Sequence, residues 1–198
     1  MALTPANCGA VILAGGRSSR MGRCKALLEL DGETLISRLA GELSAFDELL
    51  ISSNDEALAA GLPGRVVRDV FPGCGPLAGL HAALSATEKE YLLCIPCDYP
   101  CFTAEGAAAL LSAFVPGRDA MVCRDTEGRI HPLCGIYART AAQTMERRLR
   151  AGRFRMMELL SELRTDQVSG LLPDGQLINV NTPEAFSHLA ERRKEGFS

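Results

Sequence analysis

Three cationic side chains, Arg17, Arg20 and Lys25, crowd one short stretch that also carries Gly15, Gly16 and Gly22, with Arg23 among them. The stretch reads Ala10-Val-Ile-Leu-Ala-Gly-Gly-Arg-Ser-Ser-Arg-Met-Gly-Arg-Cys-Lys25. It opens as an apolar run over 10–13, of a length and composition that suit a buried strand. At Gly15-Gly16 the chain can turn at positive φ and expose backbone N–H groups with no Cβ in the way. A strand that empties into glycines and then cations is what a bound polyphosphate needs. The N–H groups wrap the oxygens, while ammonium and guanidinium groups neutralise them. A surface turn with ordinary solvated charges would have the same composition. Neither common phosphate fingerprint fits: the three glycines are spaced wrongly for G-x-G-x-x-G, and Lys25 sits between Cys24 and Ala26 where a Walker A lysine needs a glycine and a hydroxyl residue.

The second candidate for chemistry is a lone carboxylate. Asp98 follows the most apolar run of the chain, Tyr91-Leu-Leu-Cys-Ile95, and is braced by Pro96 and Pro100. Mg²⁺ takes one or two protein carboxylates together with phosphate oxygens and waters, so a single rigid aspartate suffices. A helix cap or turn former would look the same at this level. Cys94, Cys97 and Cys101 beside it have the C-x-x-C-x-x-x-C spacing of a cluster ligand set but lack an obvious fourth ligand. On a strand, Cys94 and Cys97 would also point to opposite faces. The eight cysteines are read as inert packing residues.

The run from Leu13 to Lys25 resembles the L-A-G-G-x-S-x-R-M-G-x-x-K signature of nucleotidyltransferases, and specifically of the molybdenum cofactor guanylyltransferases. Leu13, Ala14, Gly15, Gly16, Arg20 and Lys25 fall on its fixed positions; the departure is Cys24, where that family usually has an acidic residue. Pro96-Cys-Asp98-Tyr-Pro100 is similar to the family's metal-binding C-D-x-P, which makes Asp98 the implied Mg²⁺ ligand. Gly75-Pro76-Leu77-Ala78-Gly79 resembles its base- and ribose-binding G-P-L-A-G turn. Asp69 matches an aspartate near the nucleoside, and Asn54 joins the implied nucleotide contacts. Asn179-Val-Asn181-Thr-Pro-Glu resembles a C-terminal N-x-N-T-P-E associated with the metal and the pterin acceptor, with Asn181 the implied second metal ligand. Read alone, Asn181 is equally a turn residue ahead of a helix.

His131-Pro132 also matches, although a solvated or hydrogen-bonded histidine would serve as well. Arg147, Arg148 and Arg150 read as an exposed helix face. Arg153 and Arg155 fall after Gly152, where the family carries basic residues, and suit the acceptor's phosphate.

The resemblance implies transfer of GMP from GTP to the terminal phosphate of molybdopterin, with pyrophosphate leaving and Mg²⁺ as cofactor. Asp98, with Asn181, would serve the α-phosphate; Arg20, Lys25 and the glycine-loop N–H groups would serve the β- and γ-phosphates. The competing expectations are a cytidylyltransferase of the same cofactor (usually L-A-A-G where this chain has Ala14-Gly15-Gly16), a sugar-phosphate nucleotidyltransferase, and a nucleotide-binding regulator without turnover. Transient contacts with other cofactor-biosynthesis proteins are compatible with any of these.

Stepping outward from these residues, 198 residues suffice for one domain, 1–198, with a core that needs no staples. A net charge of −3 argues against a nucleic-acid surface, so an anionic substrate must rely on local cations. No basic segment followed by an apolar one opens the chain and no run reaches membrane-spanning length, so a cytoplasmic protein without membrane contact is expected.

Strands are predicted over 10–13, 49–51, 65–68, 91–95, 120–123, 134–137 and 177–180. Helices are predicted over 34–43, 57–60, 76–86, 103–114, 140–150 and 156–163, and a last one opens at Thr182-Pro183-Glu184. This alternation predicts an α/β three-layer Rossmann-like sandwich with a mostly parallel sheet; the resemblance makes it the nucleotide-diphosphosugar-transferase type. The site would then lie at the carboxyl ends of the strands.

Overall fold

The computed structural model describes residues 2–15 and 25–194. At its centre β1 (Cys8–Leu13) is buried at every position, because parallel neighbours flank it on both sides: β4 (Leu49–Ser52) and β6 (Tyr91–Pro96). Beyond β4 lies β5 (Arg65–Val67), also parallel. On the other side β6 pairs antiparallel with β8 (Ile130–Ala138), which pairs antiparallel with β7 (Ala120–Arg124). The parallel partner of β7, β9 (Thr165–Ser169), forms the edge. Among the described residues the sheet therefore has seven strands in the order β5-β4-β1-β6-β8-β7-β9, with β8 alone reversed. A two-stranded ribbon, β2 (Glu29–Leu30) with β3 (Glu33–Thr34), turns through Asp31 and Gly32, both at positive φ.

Alternate side chains of the central strands feed two cores. Ile12, Ile51 and Ile95 pack on the face covered by α1 (Leu35–Glu42) and α3 (Ala104–Ala113). Val11, Leu13, Leu50 and Cys94 pack on the face covered by α2 (Pro76–Ala86), α4 (Ala141–Arg150) and α5 (Met156–Glu162). The result is the expected three-layer sandwich. Local chemistry starts the helices: the Thr34 hydroxyl accepts from Ser37 N–H and the Thr103 hydroxyl from Gly106 N–H, both at 3.3 Å, and Pro76 opens α2. Cys94 and Cys97 lie in different cores, as strand alternation requires.

The structure corrects four expectations. Residues 177–180 are not a strand: a 3₁₀ turn, Asp174–Leu177, runs into an extended segment that leads to α6 (Pro183–Lys194). Its apolar residue Val180 is buried with Leu30, Leu35 and Leu189, in a satellite core apart from the sheet. The edge strand β9, Thr-Asp-Gln-Val-Ser, was missed because an edge strand with intermediate and exposed positions shows no apolar alternation. Residues 56–59 form a 3₁₀ helix begun by Asp55, not an α-helix.

The fourth correction concerns Arg148, which is buried, not exposed. Its guanidinium donates to Glu158 at 2.8 Å and to Glu162, tying α4 to α5. Removing one partner of a buried pair strands the other charge. Glu158 and Glu162 keep some solvent, so Arg148→Ala should cost about 2–3 kcal/mol, short of a fully buried pair. Urea unfolding should show the lower midpoint, with a much smaller effect for Arg147→Ala, whose side chain is 70% exposed.

Candidate functional site

The carboxyl ends of β1, β4, β5 and β6 define one edge of the sheet, and two backbone bonds carry the ladder past the strands: Ala14 N–H to Ser52 C=O and Cys97 N–H to Leu13 C=O, both 3.0 Å. Asp98 emerges there. Turns fix it on both sides, through Tyr99 N–H to Pro96 C=O at 3.3 Å and Phe102 N–H to Tyr99 C=O at 3.2 Å. Its own carbonyl accepts the Val180 N–H at 2.8 Å. That bond explains the misread segment: its backbone is extended to dock on the Asp98 turn, not to join the sheet. Asn179 and Asn181 are exposed on either side of buried Val180.

Three predicted residues meet at this point. Lys25 Nζ donates to Asn181 Oδ1 at 2.5 Å and lies 3.4 Å from Asp98 Oδ2. The Asp98 and Lys25 side chains are only 18% and 19% exposed. Burial raises the Asp98 pKa, and the Lys25 charge and hydrogen bond bring it only part of the way back. One carboxylate and one amide oxygen thus converge on a cation position now held by an ammonium. Two hard oxygen donors fit Mg²⁺, which keeps waters and takes phosphate oxygens for the rest. Among the described residues no group of three or more His, Cys, Asp or Glu side chains could form a self-sufficient cage.

A second group lies past β4 and β5. Asn54 Nδ2 donates to Asp69 Oδ2, and Asp69 N–H donates to Asn54 Oδ1, both at 3.0 Å. This reciprocal pair closes the edge beside α2. Gly75 precedes that helix at φ 71° and Pro76 is exposed, so the turn's backbone faces solvent. Leu77 and Gly79 are buried instead. A Cβ at Gly79 would come within 2.5 Å of Ser52 Oγ, so the glycine lets α2 pack closely against β4. Leu13 and Ala14 are likewise buried, which leaves only their backbones to face the edge.

Gly15 is exposed but not at positive φ, contrary to expectation. Among the described residues, a Cβ there would meet only Ser52 O, at 3.8 Å. The expectations for Gly16, Arg17, Arg20, Arg23 and Cys24 fall outside the described residues.

Because β8 is reversed, its amino end comes to the same edge, and with it His131. The ring is buried: Tyr99 O–H lies 3.0 Å from Nδ1, and Asp125 Oδ2 lies 3.1 Å from Nε2. The ionised Asp125 carboxylate can only accept, so Nε2–H donates to it, and in the neutral ring Nδ1 then accepts from the Tyr99 O–H. Burial raises the Asp125 pKa, but hydrogen bonds from His131 and from Arg129 N–H (2.7 Å) outweigh it and hold the carboxyl below its ordinary range. Sequence reading paired none of these three; the His-Pro dipeptide was the only signal. Arg153 and Arg155 are exposed beyond α4. That helix climbs from the far end of the sheet to this edge, where Arg150 lies over the Phe71 ring, 5.7 Å from its centroid.

Residues 10–168 match the family described as the MobA-like NTP transferase domain. The chain belongs to that family. It is therefore a nucleotidyltransferase, and the edge just described corresponds to the carboxyl ends where an α/β sheet binds its ligand. It is 38% identical over 180 residues to a protein of Pelotomaculum thermopropionicum named "Probable molybdenum cofactor guanylyltransferase", covering 87% of each chain. It is 30% identical over 194 residues to the molybdenum cofactor guanylyltransferase of Desulfosudis oleivorans, covering 94% of this chain and 96% of the other. The solved structure of molybdopterin-guanine dinucleotide biosynthesis protein A from Archaeoglobus fulgidus superposes with a TM-score of 0.83 at 24% identity, over 94% of this chain and 99% of that one, and shows the shared fold. No helix among the described residues is long and apolar enough to cross a membrane.

The raised Asp98 pKa has a measurable sign. An acid whose folded pKa exceeds its unfolded one adds stability below the unfolded value and loses it as pH rises through the folded value. At neutral pH the ionised Asp98 is therefore a net cost to the empty fold. Asp98→Asn should raise the melting temperature at pH 7 by a few degrees at most, about 1 kcal/mol being worth roughly 2–4 °C at this size. The gain should vanish as pH falls into the carboxylate range. A lower melting temperature at every pH would contradict the assignment.

Proposed function

We propose that this chain transfers GMP from GTP to the terminal phosphate of molybdopterin, releasing pyrophosphate. The observation that carries the reading is the Lys25 ammonium held between Asp98 and Asn181 at the carboxyl edge of a family-member sheet. The relatives' names supply the guanyl donor and the cofactor acceptor. We take 1–198 as one catalytic domain working in the cytoplasm.

The acceptor is a phosphate monoester whose second pKa is about 6, so it is mostly ionised at neutral pH and needs no base. The residues then have two tasks, alignment and charge neutralisation. Asp98 and Asn181 would hold Mg²⁺, which supplies positive charge to the α-phosphate when bound. Lys25 exchanges its protein partners for the β- and γ-phosphates, joined by Arg20 and the N–H groups near Gly15 and Gly16. The exposed backbone around Gly75 and Pro76 and the Asn54–Asp69 pair flank the nucleoside. Asn179, Arg153 and Arg155 face the acceptor.

Lys25→Ala should lower kcat/KM by roughly 10²–10³-fold, the scale for removing one charge-stabilising donor. Asp98→Asn should abolish turnover at ordinary Mg²⁺ while leaving GTP binding modestly weakened, and raised Mg²⁺ or Mn²⁺ should restore part of the rate. Near-normal turnover in that variant would remove Asp98 from the site.

Base choice provides the sharpest test of the whole reading. Gly15 is exposed and, among the described residues, its Cβ position is open, so Gly15→Ala should fold normally. The added methyl should instead crowd the larger purine. Thermal-shift titration with Mg²⁺ should rank GTP above CTP and ATP in the wild type, and Gly15→Ala should narrow the gap by about tenfold, the lower end of the range for one methylene-sized change. Equal stabilisation of the wild type by CTP would mean a cytidylyltransferase.

A further inference from the structure

We propose that Asp125 and His131 are positioning residues for the Asp98 turn, acting through the Tyr99 ring. This rests on the reading that Asp98 and Asn181 hold the metal. The argument begins from an asymmetry at that turn. Asp98 must face outward and stay hydrated, yet it sits two residues beyond a strand whose six residues are all buried. Its backbone is anchored from one side by the Val180 N–H. On the other side the next side chain, Tyr99, reaches inward as a long lever, 5% exposed and packed in the core.

A phenol in an apolar core has one strong directional handle, its hydroxyl, and an unpaired one would cost about 1–3 kcal/mol. His131 Nδ1 receives it at 3.0 Å, with the two rings edge to face and their centroids 6.0 Å apart. The imidazole is fixed in turn by Asp125 at 3.1 Å. Asp125 does not move freely either. The turn between β7 and β8 locks it through Asp125 N–H to Arg129 C=O and Gly128 N–H to Asp125 C=O, both 3.0 Å. Thr126 fastens that turn to Asp174, in the segment that goes on to Asn181. Tyr99, His131 and Asp125 therefore connect the two oxygen donors through the protein: one arm reaches Asp98 through its neighbour's ring, the other reaches the 174–181 segment.

Both imidazole nitrogens are engaged, so the line moves no proton to substrate. Its effect is angular. Without the hydroxyl-to-imidazole bond, the ring and the turn attached to it can rotate, and Asp98 and Asn181 lose their common focus. Partners behind metal ligands are worth about 10–100-fold in metal affinity. A link one residue removed from the ligand should fall at the lower end.

The test uses the full chain with GTP and Mn²⁺, reading bound Mn²⁺ by electron paramagnetic resonance, independently of turnover. Tyr99→Phe and His131→Ala should each weaken Mn²⁺ in the ternary complex by about tenfold, with GTP affinity in the absence of metal unchanged. The double variant should be no worse than either alone, because both remove the same bond. His131→Asn, whose amide oxygen can accept from Tyr99, should recover most of the affinity; it also covers the case in which His131→Ala fails to fold. A purely structural role would lower the melting temperature and leave Mn²⁺ affinity intact. That result, or additive losses in the double variant, would overturn the proposal. A wild type that binds no Mn²⁺ with GTP would instead overturn the reading of Asp98 and Asn181, and this proposal with it.

Discussion

A carboxylate at the end of a fully buried parallel strand is an electrostatic liability, and much of the molecule can be understood as the response to it. β6 lies between β1 and β8 with no exposed residue, and Asp98 must leave it within two residues. The compensating groups come from far away in sequence. Lys25 is 73 residues distant from Asp98 and 156 from Asn181. The N–H that caps the Asp98 carbonyl belongs to Val180, near the other end of the described chain. The site therefore exists only after the first strand, the central strand and the C-terminal segment have all docked. Parallel pairing already carries a large loop-closure cost, and this arrangement adds to it.

Reversal of one strand solves a placement problem. With β8 antiparallel, the β7–β8 turn and the amino end of β8 lie at the same edge as the carboxyl ends of β1, β4, β5 and β6. His131 can then reach Tyr99 without a crossover connection. The same reversal sends α4 back from the far end of the sheet, so that its last turn brings Arg150 to Phe71 and delivers residues 152–155 to the ligand edge. An all-parallel sheet would have placed both turns elsewhere.

Sequence reading succeeded where one local signal decided the outcome. The apolar runs of β1, β4 and β6 need no alternation because both faces are covered, and Thr34, Thr103 and Pro76 mark helix starts by chemistry that operates within a turn. It failed where the deciding partner was remote. Arg148 looked like its solvated neighbours until α5 brought Glu158 and Glu162 to it. Val180 looked like part of a strand because its burial among Leu30, Leu35 and Leu189 leaves the same trace as a sheet. β9 left no trace. For the site, Lys25, Asp98 and Asn181 were legible as motif positions, whereas the Tyr99–His131 bond, spanning 32 residues, has no spacing rule to announce it.

The commitment of His131 also bears on what kind of chemistry the edge can perform. A histidine one residue contact away from the Asp98 turn invites a proton-transfer role, but a base must have a free lone pair aimed at substrate. Here Nδ1 accepts from Tyr99 and Nε2 donates to Asp125, so neither nitrogen is available. Asp98 is no better suited, since its carboxylate already faces the Lys25 ammonium. The edge instead gathers an ammonium, a carboxylate and an amide oxygen about one point, with an exposed backbone turn nearby. Such a set lowers a barrier by holding charge and direction, and it suits an acceptor that arrives already ionised. For a phosphate-monoester acceptor the lack of a base among the described residues is no defect, because most of the acceptor is deprotonated before the reactants meet and the remaining barrier is the repulsion among phosphate oxygens.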